Sequence, residues 1–267
     1  MHRLGGICIG LHRYDRIYVD YKNMPKNLIS ISEAAKQVGA SVDTLRRWDK
    51  SYRLPSIRIG PRGHRFYSQE DIHRFLRNDS SVAKQWAISP NAELPASEVY
   101  CPTRDIFQAR LEKLQSVLQG KISDSSISLL CAITGEIGNN SFDHNLGNWP
   151  DVTGIYFSYS LRERTIVLAD RGLGILRTLK RVRPELSTSS EALKVAFTET
   201  LSGRFPEARG NGLKFVRSVI IKNPFTLRFQ TGNALLLLKE FDKDIVVSQT
   251  DEGVGGCVAI IGFEKSL

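Results

Sequence analysis

The segment with the densest chemistry reads Gly135-Glu136-Ile137-Gly138-Asn139-Asn140-Ser141-Phe142-Asp143-His144-Asn145. On a helix with 3.6 residues per turn, Glu136, Asn140 and Asp143 lie at positions i, i+4 and i+7, so they share one narrow face. Two carboxylates and an amide contribute little to an apolar core. Their oxygens are suitable ligands for a hydrated Mg²⁺ and for a water molecule. The pattern predicts a helix over residues 126–145 whose polar face lines a binding site.

A first glycine motif follows a predicted strand at residues 165–169 and reads Asp170-Arg171-Gly172-Leu173-Gly174. The carboxylate of Asp170 can accept a hydrogen bond from the exocyclic amine of adenine. Gly172 and Gly174 have no side chain, so a flat base can lie against the backbone there. This motif therefore predicts a base-binding turn.

A second glycine motif reads Arg209-Gly210-Asn211-Gly212-Leu213 and precedes a predicted apolar helix. Backbone N–H groups at a helix N-terminus bind phosphate, and Lys214 adds a positive charge there. Residues 176–209, between the two glycine motifs, are rich in Arg, Ser and Thr. We expect this segment to form a mobile lid over a nucleotide, with Arg204 as a phosphate contact.

The chain of 267 residues has a net charge of +9, and the excess is unevenly distributed. Residues 1–79 hold 15 Lys and Arg against 8 Asp and Glu, so they carry most of the positive charge. A basic segment of this kind favours a polyanionic partner, although a solvated surface is the simpler alternative.

Several protein classes are disfavoured by composition. No run of 18 apolar residues is present and the first residues lead into no apolar segment, so we expect neither a membrane span nor secretion. The cysteines form no C-x-x-C pair, which argues against zinc ribbons and thioredoxin-like proteins. They are Cys8, Cys101, Cys131 and Cys257. We expect a cytoplasmic protein.

Residues 28–79 predict a winged helix–turn–helix. Ser30 and Glu33 form a capping box for a first helix, Ser41 caps a second, and two short alternating segments around Gly60–Gly63 predict a hairpin. In such an arrangement the second helix enters the major groove of DNA and the hairpin lies along the backbone. The candidate DNA contacts are Thr44, Arg46 and Arg47 on the helix, and Arg58, Arg62, His64 and Arg65 on the wing.

This segment resembles the MerR-type and excisionase winged helices, in the motifs Ser32-Glu33-Ala34-Ala35, Thr44-Leu45-Arg46-Arg47-Trp48-Asp49 and Gly63-His64-Arg65-Phe66-Tyr67. The resemblance implies that Thr44 and Arg47 face bases, that Arg62 and Arg65 hold phosphates, and that Trp48 is structural. No long dimerisation helix follows directly, so a homodimer stays an open expectation.

The polar helix and the two glycine motifs, taken in order, resemble the Bergerat-fold (GHKL, histidine-kinase-like) ATPases over about residues 105–265. The resemblance implies an α/β sandwich with ATP between helices and sheet. It assigns Glu136 as the general base, Asn140 as the Mg²⁺ ligand, Asp143 as a helper near the phosphates and Asp170 as the adenine reader. Cys257 stands where these proteins usually have Thr. The remaining cofactor contacts are Gly172, Gly174, Gly210, Asn211, Gly212, Leu213 and Lys214.

The predicted fold class is α/β (α+β), with a small winged helix–turn–helix domain followed by a two-layer α/β sandwich of the histidine-kinase-like ATPase type. We expect an N-terminal tail at 1–27, with Met24 as an alternative start, the DNA-binding domain at 28–79, a linker at 80–102 and the ATPase domain at 103–267. The sheet is expected to be mixed and covered by helices on one face.

The predicted function is an ATP-binding and DNA-binding regulator whose DNA binding or assembly is controlled by ATP and Mg²⁺. Double-stranded DNA is the expected partner, and a protein partner stays open. One alternative is a DNA-tethered ATPase effector of a mobile element or phage-defence system. Others are an anti-sigma-type Ser/Thr kinase and a nucleotide sensor without turnover. We expect Mg²⁺-dependent ATP hydrolysis, at a rate that the sequence leaves open.

Overall fold

The computed structural model describes residues 18–19, 27–38, 40–50, 54–60, 63–91, 93–199 and 211–263. Two compact units divide the chain, Met1–Phe75 and Leu76–Leu267. Both combine helices with mainly antiparallel strands, which confirms the mixed α/β class. Among the described residues, no helix is long and apolar enough to cross a membrane.

The first unit is a helix–turn–helix followed by a hairpin. Its elements are β1 (Tyr18–Val19), β2 (Leu28–Ser30), α1 (Ile31–Val38), α2 (Val42–Lys50), β3 (Ile57–Ile59), β4 (His64–Ser68) and the start of α3 (Gln69–Ile88). The strand order is β1-β3-β4-β2, with only the β1–β3 pair parallel. Because Tyr18–Val19 pair with β3, part of the predicted tail belongs to this sheet.

Local capping explains where the first two helices begin. The N–H of Glu33 donates to Ser30 Oγ at 3.2 Å, and the N–H of Thr44 donates to Ser41 Oγ at 3.1 Å. These side-chain oxygens satisfy N–H groups that have no partner inside the helix. Leu45 and Trp48 of α2 are buried, as the predicted inner face requires.

The second unit is built on a five-stranded antiparallel sheet of order β5-β6-β7-β9-β8. The sheet therefore lacks the parallel pairs that we predicted for a mixed sheet. Besides the end of α3, the elements are β5 (Tyr100–Cys101), α4 (Arg104–Leu118), α5 (Asp124–Asn145), β6 (Ile155–Ser160), β7 (Thr165–Asp170), α6 (Gly174–Leu179), α7 (Ser189–Thr198), α8 (Gly212–Ile220), β8 (Phe225–Lys239) and β9 (Val247–Phe263).

Both faces of this sheet carry apolar side chains, because successive residues of a strand point to opposite sides. Phe157 of β6 lies in the main core with residues of α4, α5, α7 and α8. Tyr156, its neighbour, lies in a second cluster with Ala83, Trp86 and Ala87 of α3. The structure thus differs from the expected covering of one face only.

The segment 80–102, which we expected to be a linker, contains packed secondary structure. Helix α3 continues to Ile88, and Val99 is buried in the second cluster. An apolar stripe at 83, 86 and 87 has helical spacing and a sheet surface to pack against. Tertiary packing therefore continues the helix into the segment that we expected to be a linker.

The segment 176–199 of the predicted lid is largely helical and packed. Leu179, Leu186 and Ala192 form a small buried cluster, and Phe197 of α7 joins the main core. The capping box of α7 is formed by Thr188 and Glu191. Arg204 lies outside the described residues, and lid movement stays a prediction.

Helices α4 and α5 approach each other closely at glycines of α5. A Cβ added to Gly138 would overlap the buried ring of Phe107 of α4. A Cβ added to Gly135 would lie 3.1 Å from Leu111 Cδ2, the end of a side chain that can turn away. The polar helix is therefore fixed against α4 through its glycines.

We expect Gly138→Ala to lower the free energy of unfolding of the second unit by about 1–3 kcal/mol, because overpacking displaces the Phe107 ring. Gly135→Ala is the matched control, since it makes the same chemical change with a smaller clash and a favourable helix propensity. Urea unfolding of both variants measures the difference. Equal stability of the two variants would contradict close packing at Gly138.

Candidate functional site

Only some of the predicted DNA contacts on α2 and on the wing are exposed. Arg46, Arg47 and His64 are exposed, whereas Thr44 is buried at 6% exposure. The Thr44 hydroxyl lies 2.9 Å from Ser41 Oγ and accepts a hydrogen bond from Arg47 at 3.2 Å. Thr44 thus stabilises the start of α2, and base contact by Thr44 stays a prediction.

Two wing arginines are organised around one buried carboxylate. Asp49 accepts hydrogen bonds from Arg58 Nη2 at 2.6 Å, from Arg65 Nε at 2.7 Å and from the Ser56 N–H at 3.0 Å. The side chains of Arg58 and Arg65 are 12% and 21% exposed. Their ion pairs with Asp49 join the wing to α2, a structural role that the sequence did not predict. Arg62 lies outside the described residues.

The ionisation of Asp49 is favoured by this arrangement. Burial alone raises the pKa of its carboxyl, but the hydrogen bonds from Ser56 and Arg65 and the charge of Arg58 outweigh that effect and lower the pKa below 3.8. Asp49 is therefore a carboxylate at neutral pH, and it holds two cations in place.

The second unit contains a cavity of about 540 Å³ beside the polar face of α5. Its wall includes most of the predicted nucleotide contacts, namely Glu136, Asn140, Asp143, Asp170, Gly174, Asn211, Gly212 and Leu213. Gly172 and Lys214 are not in the wall, and Gly210 lies outside the described residues. Residues from α5, the first glycine motif and the start of α8 thus meet at one site.

Asp170 provides a fixed acceptor in this wall. It is 3% exposed and accepts hydrogen bonds from Ser141 Oγ at 2.7 Å and from the Gly172 N–H at 2.8 Å. Burial raises the pKa of its carboxyl, while these donors and the backbone N–H of Cys257 act in the opposite direction. The carboxyl is oriented by three groups from three separate segments.

The turn after Asp170 depends on close backbone approach. Gly174 has φ of +71°, a conformation that favours glycine, and its added Cβ would lie 2.9 Å from Gly255 O. An added Cβ at Gly172 would overlap the side chain of Asn145. Asn145 Oδ1 accepts a hydrogen bond from the Leu173 N–H at 2.8 Å, so α5 holds this turn directly.

The other end of the cavity is formed by α5 and the N-terminus of α8. A Cβ added to Gly212 would overlap the Glu136 carboxyl, so this carboxyl lies against the first residue of α8. The side chain of Asn211 makes no capping hydrogen bond to the helix. Negative groups are stabilised at this end of a helix by its partial positive charge.

Asp143 forms an ion pair with Arg104, the first residue of α4. Arg104 also lines the cavity, and 46% of its side chain is exposed. Across the described ranges, no group of three or more His, Cys, Asp and Glu side chains could hold a metal ion. Mg²⁺ commonly takes only one or two protein ligands beside phosphates and water, so Asn140 stays a candidate ligand.

The first unit matches a known family. Residues 29–77 match the family model of the MerR HTH family regulatory protein. The matched range contains α1, α2, the β3–β4 hairpin and the start of α3. The match confirms the predicted helix–turn–helix, and it indicates DNA binding by this part of the chain.

A longer similarity links the chain to a curated protein. It is 26% identical over 229 residues to the type II methyltransferase M.Eco47II of Escherichia coli. The similarity covers 77% of this chain and 51% of that protein, so the chain spans about half the length of this relative.

Several residues of the cavity network were missed by sequence reasoning. Ser141 and Asn145 belong to the same helical motif but lie off the face of Glu136, Asn140 and Asp143, so the spacing that predicted that face did not indicate them. Thr231 of β8 accepts from the Ile175 N–H at 3.2 Å and donates to Gly256 O at 3.0 Å. Thr231 and Arg104 are distant in sequence from the motifs, so no local pattern indicated them.

We expect Asp49→Asn to destabilise the first unit by about 1.5–3 kcal/mol at neutral pH, because two arginines lose a charged acceptor. A carboxyl whose pKa is lower in the folded state stabilises the fold at every pH above its unfolded-state pKa. This stabilisation disappears as the pH falls through the folded-state pKa. The difference from wild type should stay constant between about pH 5 and 7 and shrink below about pH 4.

Urea unfolding followed by the NMR amide signals of α2 measures this effect. Asp43→Asn is the matched control on the same helix, since the exposed Asp43–Arg46 pair contributes little. Equal stability of the Asp49 and Asp43 variants at neutral pH would contradict a central role of Asp49.

Proposed function

We propose that this chain is a DNA-binding regulator with an ATP site in the cavity beside α5, and that the nucleotide controls its DNA binding. The MerR-type segment carries the DNA-binding part of the proposal. The buried, oriented carboxyl of Asp170 carries the nucleotide part. We also propose that the second unit has the α/β sandwich fold of the histidine-kinase-like (GHKL) ATPases.

The cavity has suitable size and chemistry for an adenine nucleotide. About 540 Å³ lies within the range of small-molecule sites. Asp170 supplies an acceptor for the exocyclic amine, and Ile175, Leu168 and Ala259 supply apolar surface for the base. An isolated buried carboxyl is costly, so one that faces a cavity is a candidate recognition group.

The opposite end of the cavity suits the phosphates. The N–H groups of Gly212 and Leu213 at the start of α8 can donate to phosphate oxygens, and Asn140 can hold Mg²⁺. Bound Mg²⁺ would neutralise phosphate charge. Glu136 lies beside this helix end, where its carboxylate can orient or deprotonate a water molecule. These residues support hydrolysis better than transfer to a protein hydroxyl.

The name of the relative raises methyl transfer as a second function. S-adenosylmethionine, the usual methyl donor, contains adenine, so Asp170 could serve either ligand. The α8 N-terminus favours ATP, because a triphosphate is an anion whereas the sulfonium centre is a cation. Direct comparison of the two ligands on one protein separates the two functions.

We expect wild-type protein to bind Mg·ATP in calorimetry and Asp170→Asn to bind it about 10- to 100-fold more weakly, since an amide NH₂ replaces one of the carboxyl oxygens. Glu136→Gln should retain binding and lose turnover. Asp251→Asn, at an exposed position outside the cavity wall, is the matched control and should bind as wild type does. Absence of ATP binding by folded wild-type protein, or binding of S-adenosylmethionine in preference to ATP, would refute the ATP site.

We expect Arg47→Ala to weaken DNA binding, by about 1–3 kcal/mol if Arg47 reads a base and with a smaller salt slope if it contacts a phosphate. Lys239→Ala removes an exposed cation of the second unit and serves as control. Fluorescence anisotropy on a duplex enriched from a random pool measures both. An Arg47→Ala affinity equal to that of the control would exclude α2 as the DNA-reading helix.

A further inference from the structure

Arg104 is a cation in the wall of a cavity that is rich in carboxyl groups. Among the described residues of the wall it is the one Lys or Arg, whereas Glu136, Asp143 and Asp170 supply three carboxyl groups. A triphosphate brings several negative charges into the cavity, and carboxylates repel them. Bound Mg²⁺ offsets part of this repulsion, and a positive side chain in the wall offsets more of it.

The position of Arg104 on α4 is not one that helix stability favours. Thr103 is the N-cap, and its side-chain oxygen accepts a hydrogen bond from the Ile106 N–H, so Arg104 is the first residue of the helix. The N-terminus of a helix has a partial positive charge, which favours acidic side chains such as that of Asp105 and disfavours a cation. A stabilising partner for Arg104 must therefore lie outside its own helix.

The partner in the structure is Asp143 of α5, which forms an ion pair with Arg104 inside the second unit. The side chain of Arg104 is 46% exposed, and that of Asp143 is 19% exposed. An ion pair that is half open to solvent contributes little to stability, because water competes for both charges. Exchange of the Asp143 carboxylate for another anion is therefore inexpensive.

A phosphate is a suitable replacement for this carboxylate. The guanidinium group forms two parallel hydrogen bonds with a pair of phosphate oxygens as readily as with a carboxylate. Asn140, the candidate Mg²⁺ ligand, precedes Asp143 by three residues, which corresponds to about 4.5 Å along the helix axis. Both residues line the cavity, so Arg104 lies beside the part of the wall where the phosphates are proposed to bind.

We propose that Arg104 is a phosphate-binding residue of the nucleotide site and that it exchanges Asp143 for a phosphate oxygen of ATP. The proposal rests on the proposed function, since it names the group through which that same site recognises the phosphates. Without nucleotide, Asp143 holds the guanidinium at the cavity wall, so the arginine is oriented before ATP binds. With nucleotide, Arg104 neutralises phosphate charge that the carboxyl groups of the wall repel.

An arginine that only joins α4 to α5 would behave differently. Loss of a purely structural ion pair would weaken the binding of adenosine and ATP alike, and removal of either partner would have the same effect. Loss of a phosphate contact weakens the binding of ATP alone and depends on the arginine. The affinities for both ligands, measured in variants of both partners, therefore separate the two roles.

The test measures by calorimetry the Kd of the full-length chain for Mg·ATP and for adenosine, which has the base and the ribose but no phosphate. Arg104→Gln removes the charge, Arg104→Lys keeps the charge without the guanidinium, and Asp143→Asn breaks the ion pair but keeps the arginine. Lys113→Gln is the matched control, because it removes the same charge from an exposed position of α4 outside the cavity wall. Thermal melting verifies that each variant is folded.

We expect Arg104→Gln to bind Mg·ATP about 10-fold or more weakly than wild type, since a charge-assisted hydrogen bond is lost, and to bind adenosine as wild type does. Arg104→Lys should lie between the two for ATP. Asp143→Asn should bind Mg·ATP at least as tightly as wild type, because Arg104 no longer has a competing partner, and Lys113→Gln should match wild type. If Arg104→Gln fails to fold, Arg104→Lys provides the same comparison of ATP with adenosine.

Equal ATP affinities of Arg104→Gln and Lys113→Gln would overturn the phosphate contact and leave the proposed ATP site intact. Parallel losses for ATP and adenosine, or equal losses of ATP affinity in Arg104→Gln and Asp143→Asn, would assign a structural role to the ion pair and overturn the proposal as well. Failure of folded wild-type protein to bind Mg·ATP would refute the proposed function itself, which is a separate measurement.

Discussion

The hydrogen bonds to the Asp170 carboxyl are the interaction on which the cavity of the second unit depends. A buried carboxyl needs donors, and here Ser141 of α5, Gly172 of the following turn and the backbone N–H of Cys257 in β9 supply them. Three segments that are far apart in sequence must therefore meet at one point. Their meeting fixes the wall of the cavity and the polar face of α5 that lines it.

In the first unit, the buried carboxylate of Asp49 likewise joins separate segments through the hydrogen bonds that it accepts. Asp49 joins the loop at Ser56 and both wing strands to α2, so the wing is positioned relative to this helix by charge as well as by apolar packing. Arg58 and Arg65 are consequently part of the structural framework. Arg46 and Arg47, on the exposed side of α2, remain the better candidates for direct DNA contact.

Sequence reasoning succeeded where a signal is local and periodic. The spacing of Glu136, Asn140 and Asp143 predicted one helix face, and the cavity wall contains all three. The capping residues Ser30 and Ser41 predicted the starts of α1 and α2. Contacts such as Asn145 with Leu173, or Asp49 with Arg65, join residues that are distant in sequence. Composition and periodicity describe single segments, so they do not predict such pairs.

The extent of α3 shows the same limit. Pro90, Asn91, Pro95 and several Ser and Ala residues predict a linker over 80–102. Helices in proteins owe most of their stability to tertiary packing, and Ala83, Trp86 and Ala87 have a sheet face to cover. The helix therefore continues to Ile88, and Arg171, the residue next to Asp170, donates to the Trp86 carbonyl near its end. The turn that follows Asp170 is thus held both by α3 and, through Asn145, by α5.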